Sequence, residues 1–419
     1  MNPVRIGLMA VASPLEVGAG DAPELAAQLG RALRALGEER LELTAFPEPV
    51  DSPARAVAAG RAFYDARVDT ILLVAASWFQ DYLALDALEE CAAPVIAWAR
   101  PGMETGALCG AQQLGYILRQ LGQPYTLLYA PTGDGAALSR AWDFARAASL
   151  RRRLRRARIG YWGHRVEGMT ETTAHELALK KVFGPRVVGV DANVPLDLAA
   201  RIPPETAVER WEALTRQVGR VLVSREAGVE ALRLYEALRE VIAEHGLDAL
   251  TVGCYPNIFG KACLAASLLG EEGVPLACEG DVNGAVAMLM LADLTGVATH
   301  CTDALDPIPA DDSLVFSHCG SGGFSLAADP SEVVIGTVRL MGGGVCCLFP
   351  ARPGPVTLVN LIPTLGGYKL AVMAGEAVAT EMVFPGNPLR VRFGGDYRVV
   401  LDWIAAEGLG HHWMAAYGD

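Results

Sequence analysis

Short, wholly apolar runs alternate with longer segments of helical period in the first 150 residues. Residues 70–75 read Thr-Ile-Leu-Leu-Val-Ala, and comparable runs occupy residues 4–9, 94–98 and 125–129. Between the runs at 4–9 and 70–75, residues 22–36 carry apolar side chains at the spacing of an amphipathic helix. An apolar run without alternation is typical of a strand buried on both faces, so the pattern predicts a parallel sheet with helices on both sides.

The alternation begins again at residue 158 and changes in the last hundred residues. The second segment predicts strands at 158–162, 187–190, 247–253 and 275–278, and helices at about 172–183, 205–245, 260–269 and 282–294. The last segment contains short β-like runs separated by Gly and Pro, at 333–340, 345–349, 356–362, 369–374 and 389–393, and then one helix at about 396–407. The sequence therefore predicts an α/β protein with two doubly wound parallel-sheet domains, residues 1–150 and 151–300, followed by a C-terminal antiparallel β-rich domain, residues 301–419.

Composition and charge narrow the class of function. Of the 419 residues 52% are hydrophobic, and 35 Lys and Arg against 48 Asp and Glu give a net charge of −13. This balance argues against a broad nucleic-acid-binding surface and against docking on anionic lipid. No segment approaches the roughly 18 to 20 apolar residues of a membrane span, and the N-terminus does not have the pattern of a signal peptide. Nine cysteines, an odd and ordinary number, favour reduced thiols and a cytoplasmic location.

Two carboxylates follow the strand predicted at 275–278. The segment reads Cys278-Glu279-Gly280-Asp281 and leads directly into a predicted helix. Ligands of open parallel sheets bind beyond the carboxyl ends of the strands, and residues two apart on an extended chain point to the same side. Glu279 and Asp281 could then form an oxygen-rich site for Mg²⁺ or Mn²⁺. The alternative is that Asp281 caps the helix that follows it.

Three histidines lie in loops flanked by small residues. His318 follows a predicted strand, and His411 and His412 are adjacent in the tail loop that follows the last predicted helix. Each of them alone is compatible with a structural or surface role. Taken with Glu279 and Asp281, they provide the mixture of imidazole and carboxylate ligands that suits Mn²⁺, Fe²⁺, Co²⁺ or Zn²⁺.

Polar and aromatic residues follow four further predicted strands. Such residues at strand ends suit a carbohydrate, although turn chemistry alone also favours polar residues there. The candidate substrate-binding residues in these loops are Trp78, Gln80, Arg100, Glu167, Tyr255 and Asn257, and His411 joins them from the tail.

The chain resembles the L-fucose isomerase / L-arabinose isomerase superfamily, in particular its shorter fucose isomerase-like members. The resemblance rests on Ala277-Cys278-Glu279-Gly280-Asp281-Val282-Asn283-Gly284, on Ser317-His318-Cys319-Gly320 and on Gly410-His411-His412. It implies a Mn²⁺-dependent aldose–ketose isomerase that acts on a small sugar and forms a homo-oligomer, a trimer or a hexamer. In the mechanism that it implies, the ion binds O1 and O2 of the open-chain sugar and a carboxylate moves a proton from C2 to C1 through a cis-enediol.

The resemblance also implies roles for individual residues. Asp281 falls on the acidic metal ligand of the motif, His318 resembles the histidine of the second motif, and His411 or His412 falls on the C-terminal histidine ligand. The metal set expected here is Glu279, Asp281, His318 and His412, with Glu279 and Asp281 as the catalytic carboxylates and Mg²⁺, Co²⁺ or Zn²⁺ as alternatives to Mn²⁺.

One feature departs from the family pattern. L-Fucose isomerase has its second acidic ligand upstream, in the region that resembles Tyr255-Pro256-Asn257, but no Asp or Glu occurs here between Asp248 and Glu271. Glu279, Glu167 or Glu171 would have to take its place. Two other functions stay open at this point: an epimerase or aldolase that uses the same enediolate chemistry, and a sugar-binding relative without activity.

Overall fold

The computed structural model describes residues 3–340 and 342–418, and the chain divides into two compact units. Unit 1 comprises Met1–Arg153 and unit 2 comprises Leu154–Asp419. The division of unit 2 at residue 300 stays a prediction. Within the described residues, no helix is both long and apolar enough to cross a membrane.

Unit 1 is a parallel sheet flanked by helices, with strands in the order β2-β1-β3-β4-β5. Strands β3 and β4 are buried throughout, as their apolar runs predicted. The strands are β1 (Val4–Val11), β2 (Leu41–Ala45), β3 (Thr70–Ala75), β4 (Val95–Ala99) and β5 (Tyr125–Tyr129). The helices are α1 (Ala22–Gly37), α2 (Pro53–Asp65), α3 (Tyr82–Glu90), α4 (Ala107–Gln120) and α5 (Gly135–Leu154), the last of which ends at the boundary of the unit.

Unit 2 begins with a second parallel sheet. Its strands are β6 (Arg158–Trp162), β7 (Arg186–Val190), β9 (Ala249–Val252) and β10 (Leu276–Ala277), in the spatial order β10-β9-β6-β7. The helices in this part of the chain are α6 (Glu176–Val182), α7 (Val194–Arg201), α8 (Pro204–Thr215), α9 (Arg225–His245), α10 (Cys263–Glu271) and α11 (Val282–Thr295). The strand order reverses between β6 and β9. At such a switch point the loops after the strands diverge and leave a crevice for a ligand.

The C-terminal part of unit 2 is a closed antiparallel barrel in the order β11-β12-β17-β16-β15-β18. Its strands are β11 (His300–Ile308), β12 (Ser313–Ser317), β15 (Gly354–Thr364), β16 (Gly367–Val378), β17 (Leu389–Arg392) and β18 (His412–Tyr417), and helix α12 (Tyr397–Glu407) precedes the last of them. A smaller sheet pairs β13 (Val334–Gly336) with β14 (Cys346–Leu348) and with β8 (Arg220–Val221). Large buried side chains such as Phe316 and Trp413 contribute to the core of unit 2. Closing the barrel leaves no open sheet edge.

The structure confirms the predicted fold class, two helix-flanked parallel sheets followed by antiparallel strands. Three local expectations are wrong. The single helix expected over residues 205–245 is divided into α8 and α9, because strand β8 lies between them. His412 does not lie in a tail loop, because it begins strand β18, which pairs with β11 and β15 and closes the barrel. The helix expected from about residue 172 begins at Glu176, because residues 170–172 form a separate 3₁₀ turn.

Candidate metal centre

The turn after β10 places two carboxylates at the edge of the second sheet. The strand ends at Ala277, and Glu279 and Gly280 both adopt left-handed backbone angles, with φ of 63° and 74°. This conformation costs a residue with a side chain about 1–2 kcal/mol, so its occurrence at Glu279 marks a constrained position. Asp281 then caps helix α11, because its Oδ1 accepts the Gly284 N–H at 2.8 Å. The extended path on which both carboxylates would point the same way is therefore not taken.

The barrel places an acid and two histidines opposite that turn. Strand β11 lies between β12 and β18, and Asp303 on β11 is paired with Ser317 on one side and with His412 on the other. His318 follows Ser317, and His411 precedes His412. Asp303 was not among the residues singled out from the sequence, since only the register of the barrel strands brings it to the histidines.

Five side chains converge on one small volume. The Nε2 atom of His412 lies 3.0 Å from Glu279 Oε2 and 3.8 Å from Asp303 Oδ1. His411 Nε2 lies 3.8 Å and 4.0 Å from the same two oxygens. His318 Nε2 lies 4.0 Å from Glu279 Oε2 and 3.8 Å from Asp303 Oδ2. Each imidazole thus directs its Nε2 atom at both carboxylates.

A second carboxylate stands behind each of the adjacent histidines. His412 Nδ1 donates to Asp281 Oδ2 at 2.8 Å, and His411 Nδ1 lies 2.5 Å from Glu171 Oε1. A carboxylate can only accept in such a contact, so it fixes a proton on Nδ1, and Nε2 offers its lone pair to an ion once it has lost its own proton. This arrangement of carboxylate, imidazole and metal recurs at metal sites in proteins. Of the alternatives for the missing upstream acid, Glu171 reaches the site through His411.

Asn360 on β15 anchors the segment that carries both histidines. Its side-chain amide donates to the carbonyls of His412 and Gly410 at 2.6 and 3.2 Å, and its Oδ1 accepts the Gly410 N–H at 3.1 Å. The residue is 1% exposed. Sequence reasoning missed Asn360, because an Asn inside a predicted strand has no local signal of such a role.

Ionisation in the cluster reflects its excess of carboxylates. Burial alone would raise the pKa of Glu279, but hydrogen bonds from His411 and His412 and the charge of His318 outweigh it and lower that pKa. Burial alone would lower the pKa of His412, but the hydrogen bonds with Asp281 and Glu279 raise it well above its ordinary value. The cluster therefore stabilises positive charge, as a cation-binding site does.

The ligand atoms form two groups of three that share His412, each close enough together to hold one metal ion. Metal–ligand bonds of about 2.0–2.2 Å separate neighbouring ligand atoms by about 3.0–3.6 Å in octahedral or tetrahedral sites. Glu279, His318 and His412 form one group of ligand atoms within 4.8 Å of one another, and Asp303, His411 and His412 form another. Asp303 Oδ1 is buried and accepts no hydrogen bond from the described residues. A cation would satisfy this oxygen, so the residues fit an ion of the Mn²⁺, Co²⁺ or Zn²⁺ type.

A narrow space of about 10 Å³, enough for roughly one water molecule, adjoins the cluster within unit 2. Its lining combines polar residues of the site with apolar residues of the barrel: Glu171, Thr172, Asp281, Gly284, Asn360, Leu361, Ile362, Gly410, His412 and Met414. Asp281 and His412 therefore border both the ion-binding cluster and this opening.

Three further residues expected to bind substrate lie on the loops after β6 and β9 of unit 2. Glu167 is exposed on the loop after β6. Tyr255, 44% exposed, packs edge-on against Phe259, and Asn257 is exposed on the same loop after β9. None of these three side chains contacts the cluster among the described residues.

Three more of the expected substrate-binding residues belong to unit 1. Trp78 Nε1 donates to the side chain of Gln113, and Arg100 pairs with Asp21 at 2.5 Å. Gln80, partly buried, accepts the Leu83 N–H through its carbonyl at the start of α3. Within unit 1, Trp78 and Gln80 follow β3 and Arg100 follows β4, so all three lie at the carboxyl ends of strands, as predicted.

Comparison with known proteins finds relatives over most of the chain. A sulfoquinovose isomerase from Alkalicoccus urumqiensis is 29% identical over 345 residues, which cover 80% of this chain and 78% of that protein. A sulfoquinovose isomerase from Priestia aryabhattai is 25% identical over 364 residues, 84% of this chain and 82% of that protein. No protein-family model matches. Among solved structures, an ABC transporter solute-binding protein from Agrobacterium vitis with bound D-fucose is 12% identical and covers 59% of this chain and 76% of that one, with a TM-score of 0.19. The chain is thus similar in sequence to sugar isomerases over roughly four fifths of its length.

Proposed function

We propose that the protein is a metal-dependent aldose–ketose isomerase acting on an open-chain sugar. The observation that carries the proposal is the pair of adjacent histidines, each held at Nδ1 by its own carboxylate and each directing Nε2 at Glu279 and Asp303. The relatives named as isomerases support the reaction class.

In this proposal the ion is held by Glu279, Asp303, His318 and His412, with His411 as a further ligand or as a contact to the substrate. Mn²⁺ is the ion proposed first, and Mg²⁺, Co²⁺ and Zn²⁺ are alternatives. When bound, the ion supplies Lewis acidity at the two sugar oxygens between which the carbonyl migrates. In this proposal Asp281 orients His412, with Oδ1 accepting from Gly284 and Oδ2 from His412, and its role as a metal ligand stays a prediction.

The protein residues then carry the proton. Glu279 is the proposed base, because its carboxylate faces the site from the carboxyl edge of the second sheet. It would take the proton from C2 and return it to C1, with a cis-enediol between the two steps. Glu171, 39% exposed and bound to His411, is placed to exchange a proton with solvent through the imidazole.

The substrate proposed first is sulfoquinovose, on the basis of the relatives' names. That name denotes a sugar with a sulfonate group. L-Fucose and L-arabinose follow, on the basis of the resemblance in the motifs.

The experiment is a turnover assay with purified protein, in which Mn²⁺ is removed with EDTA and added back. Sugar products are followed by NMR in deuterated water, which separates isomerisation, with deuterium incorporated at C1 or C2, from epimerisation or carbon–carbon cleavage. We expect stoichiometric metal, activity that disappears with EDTA and returns with Mn²⁺, and a ketose product.

A matched pair of variants tests the assignment of the site. Asp303→Asn removes a proposed ligand, whereas Asp306→Asn changes an exposed acid on the same strand. Metal and turnover lost only in the first variant support the proposal. A wild-type protein that binds no divalent ion and is not stabilised by Mn²⁺ would refute it. We also propose a homo-oligomer, trimeric or hexameric, which light scattering of the purified protein would test.

A further inference from the structure

We propose that Arg165 binds the negatively charged group of an anionic sugar and so makes the site prefer charged over neutral substrates. This inference rests on the proposed isomerase function and goes beyond it, because it assigns a specificity-determining residue and the chemical class of the substrate. Arg165 lies on the loop that follows β6, beside the switch point of the second sheet.

The loop 163–166 crosses directly over the residues that carry the site. The Val166 N–H donates to the Glu279 carbonyl at 3.4 Å. A Cβ atom at Gly280 would lie 2.7 Å from Arg165 Cα, closer than real Cβ contacts allow. A Cβ atom at Gly253, at the end of β9, would lie 1.8 Å from the carbonyl oxygen of His164. These two glycines therefore permit an approach that places the backbone of Arg165 against the turn bearing Glu279.

The guanidinium of Arg165 is uncompensated. Its Nη1 atom donates to the carbonyl of the next residue, Val166, at 3.0 Å, and among the described residues no carboxylate pairs with it. The side chain is partly buried. By contrast Arg233 pairs with Glu230 and Arg390 pairs with Asp311. A partly buried guanidinium with free donors, at the ligand-binding edge of a sheet, is suited to an oxoanion.

The net negative charge of the site means that an anionic substrate needs a positively charged side chain in addition to the metal ion. Four carboxylates, those of Glu171, Glu279, Asp281 and Asp303, surround the histidines. One divalent ion would leave −4 + 2 = −2 with the imidazoles neutral. An anionic sugar bound there by its carbonyl end is repelled unless a positive group meets its other end. We assign this part to Arg165, whose backbone lies against the turn that bears Glu279.

Tyr161 on β6 provides a second donor beside Arg165. Burial raises the pKa of the Tyr161 hydroxyl, and the backbone and charge of Arg165 lower it, with the pKa raised on balance. The phenol therefore stays protonated at neutral pH and can donate. Together the phenol and the guanidinium offer donors to the three oxygens of a sulfonate.

The test compares the binding of a charged sugar and its uncharged parent. Equilibrium dissociation constants are measured by calorimetry in the presence of Mn²⁺, for the sulfonated sugar and for quinovose, with the wild type, Arg165→Gln, Arg165→Lys and Arg186→Gln. Arg186 is the matched control, since it is an exposed arginine at the opposite, amino edge of the same sheet. Isomerase turnover is scored separately by NMR, so that a failure of the proposed function is not taken for a failure of this inference.

We expect Arg165→Gln to weaken binding of the sulfonated sugar about 10- to 100-fold, the range for a lost charge-assisted hydrogen bond, and to leave quinovose unchanged. Arg165→Lys should recover part of the loss, and Arg186→Gln should match the wild type. The inference is overturned if Arg165→Gln weakens both sugars equally, if it weakens neither, or if the wild type does not prefer the sulfonated sugar. A wild type that binds the sulfonated sugar through Arg165 but turns over no sugar supports the inference and refutes the isomerase proposal.

Discussion

Replacing Asp281 by Asn changes one atom and separates two roles of this residue. Oδ1 accepts the Gly284 N–H and caps α11, and Oδ2 accepts from His412 Nδ1, both at 2.8 Å. An Asn side chain has only one acceptor oxygen. If that oxygen caps the helix, its amide group faces His412 as a donor.

The expected consequence is a change of tautomer in His412. With a donor facing Nδ1, the imidazole must present its lone pair there and carry its proton on Nε2. The Nε2 atom, 3.0 Å from Glu279 Oε2, is then no longer available to an ion. Partners behind metal ligands are typically worth 10- to 100-fold in metal affinity, which corresponds to about 1.4–2.7 kcal/mol. We expect Asp281→Asn to weaken Mn²⁺ binding by this factor.

In the metal-free protein the substitution removes the charge that faces His412 but keeps the helix cap. Asn caps helices about as well as Asp, so the cap is kept. Asp396→Asn is the control, because Asp396 caps the exposed helix α12 through the Arg398 N–H and lies outside the site. Asp281→Ala, which removes both contacts, should lower the free energy of unfolding by about 1 kcal/mol more than Asp281→Asn does.

Mn²⁺ titration calorimetry and urea unfolding in EDTA measure the two quantities independently. The reasoning is refuted if Asp281→Asn binds Mn²⁺ within threefold of the wild type. It is also refuted if the variant loses metal only because it is unfolded, which the urea curves in EDTA would reveal. A direct metal ligand at position 281 would instead give loss of binding beyond 100-fold.

Further outcomes follow from the same geometry. Asp303→Asn should lower Mn²⁺ affinity at least tenfold in calorimetry, while Asp306→Asn stays at the wild-type value. Asn360→Ala should lower the free energy of unfolding in urea by about 2–4 kcal/mol, because it leaves backbone groups of Gly410 and His412 without their hydrogen-bond partner. An unchanged free energy of unfolding would contradict that role. His300 is buried, and burial together with the charge of His318 lowers its pKa to about 3. Between that value and its ordinary pKa of about 6.5 the unfolded state binds a proton that the folded state does not, so stability falls as pH falls. In EDTA the free energy of unfolding of the wild type should therefore fall with decreasing pH more steeply than that of His300→Leu, by up to about 1.4 kcal/mol per pH unit. Equal slopes for the two proteins would refute this.

The part of the site on the second parallel sheet, Glu279 and Asp281, could be predicted from the sequence. A buried strand, two acids and a helix start lie within a few residues of one another, and each is defined by local pattern. Even there the local path was not predictable. The left-handed conformation of Glu279 follows from the loop 163–166 that packs on Gly280, and that contact is between segments more than 100 residues apart.

The arrangement of the site residues on the barrel could not be predicted from the sequence, for a physical reason. Hydrogen-bond register between strands decides which residues face one another, and a shift of one residue reverses the faces. His412 was expected in the tail loop, and the six residues from His412 to Tyr417 show no polar–apolar alternation that would have indicated a half-buried strand. They are buried on both sides, between the barrel interior and α11. Asp303 and Asn360 owe their positions to this same pairing.

The site residues lie on two different structural elements, a turn of the parallel sheet and a strand ladder of the barrel. Glu279 and Asp281 sit on a turn set by a helix cap, whereas His412 and Asp303 are fixed in a closed ladder of β11 and β18. Side-chain contacts of Asp281 and Glu279 with His412 join the turn to the ladder at the site, beside the packing of α11 on β18. A proton or a cation between the carboxylates and the imidazoles therefore adds a further link between sheet and barrel. It follows that ion binding should stabilise the whole of unit 2 and not merely the local turn, because a ligand that binds only the folded arrangement stabilises it by mass action.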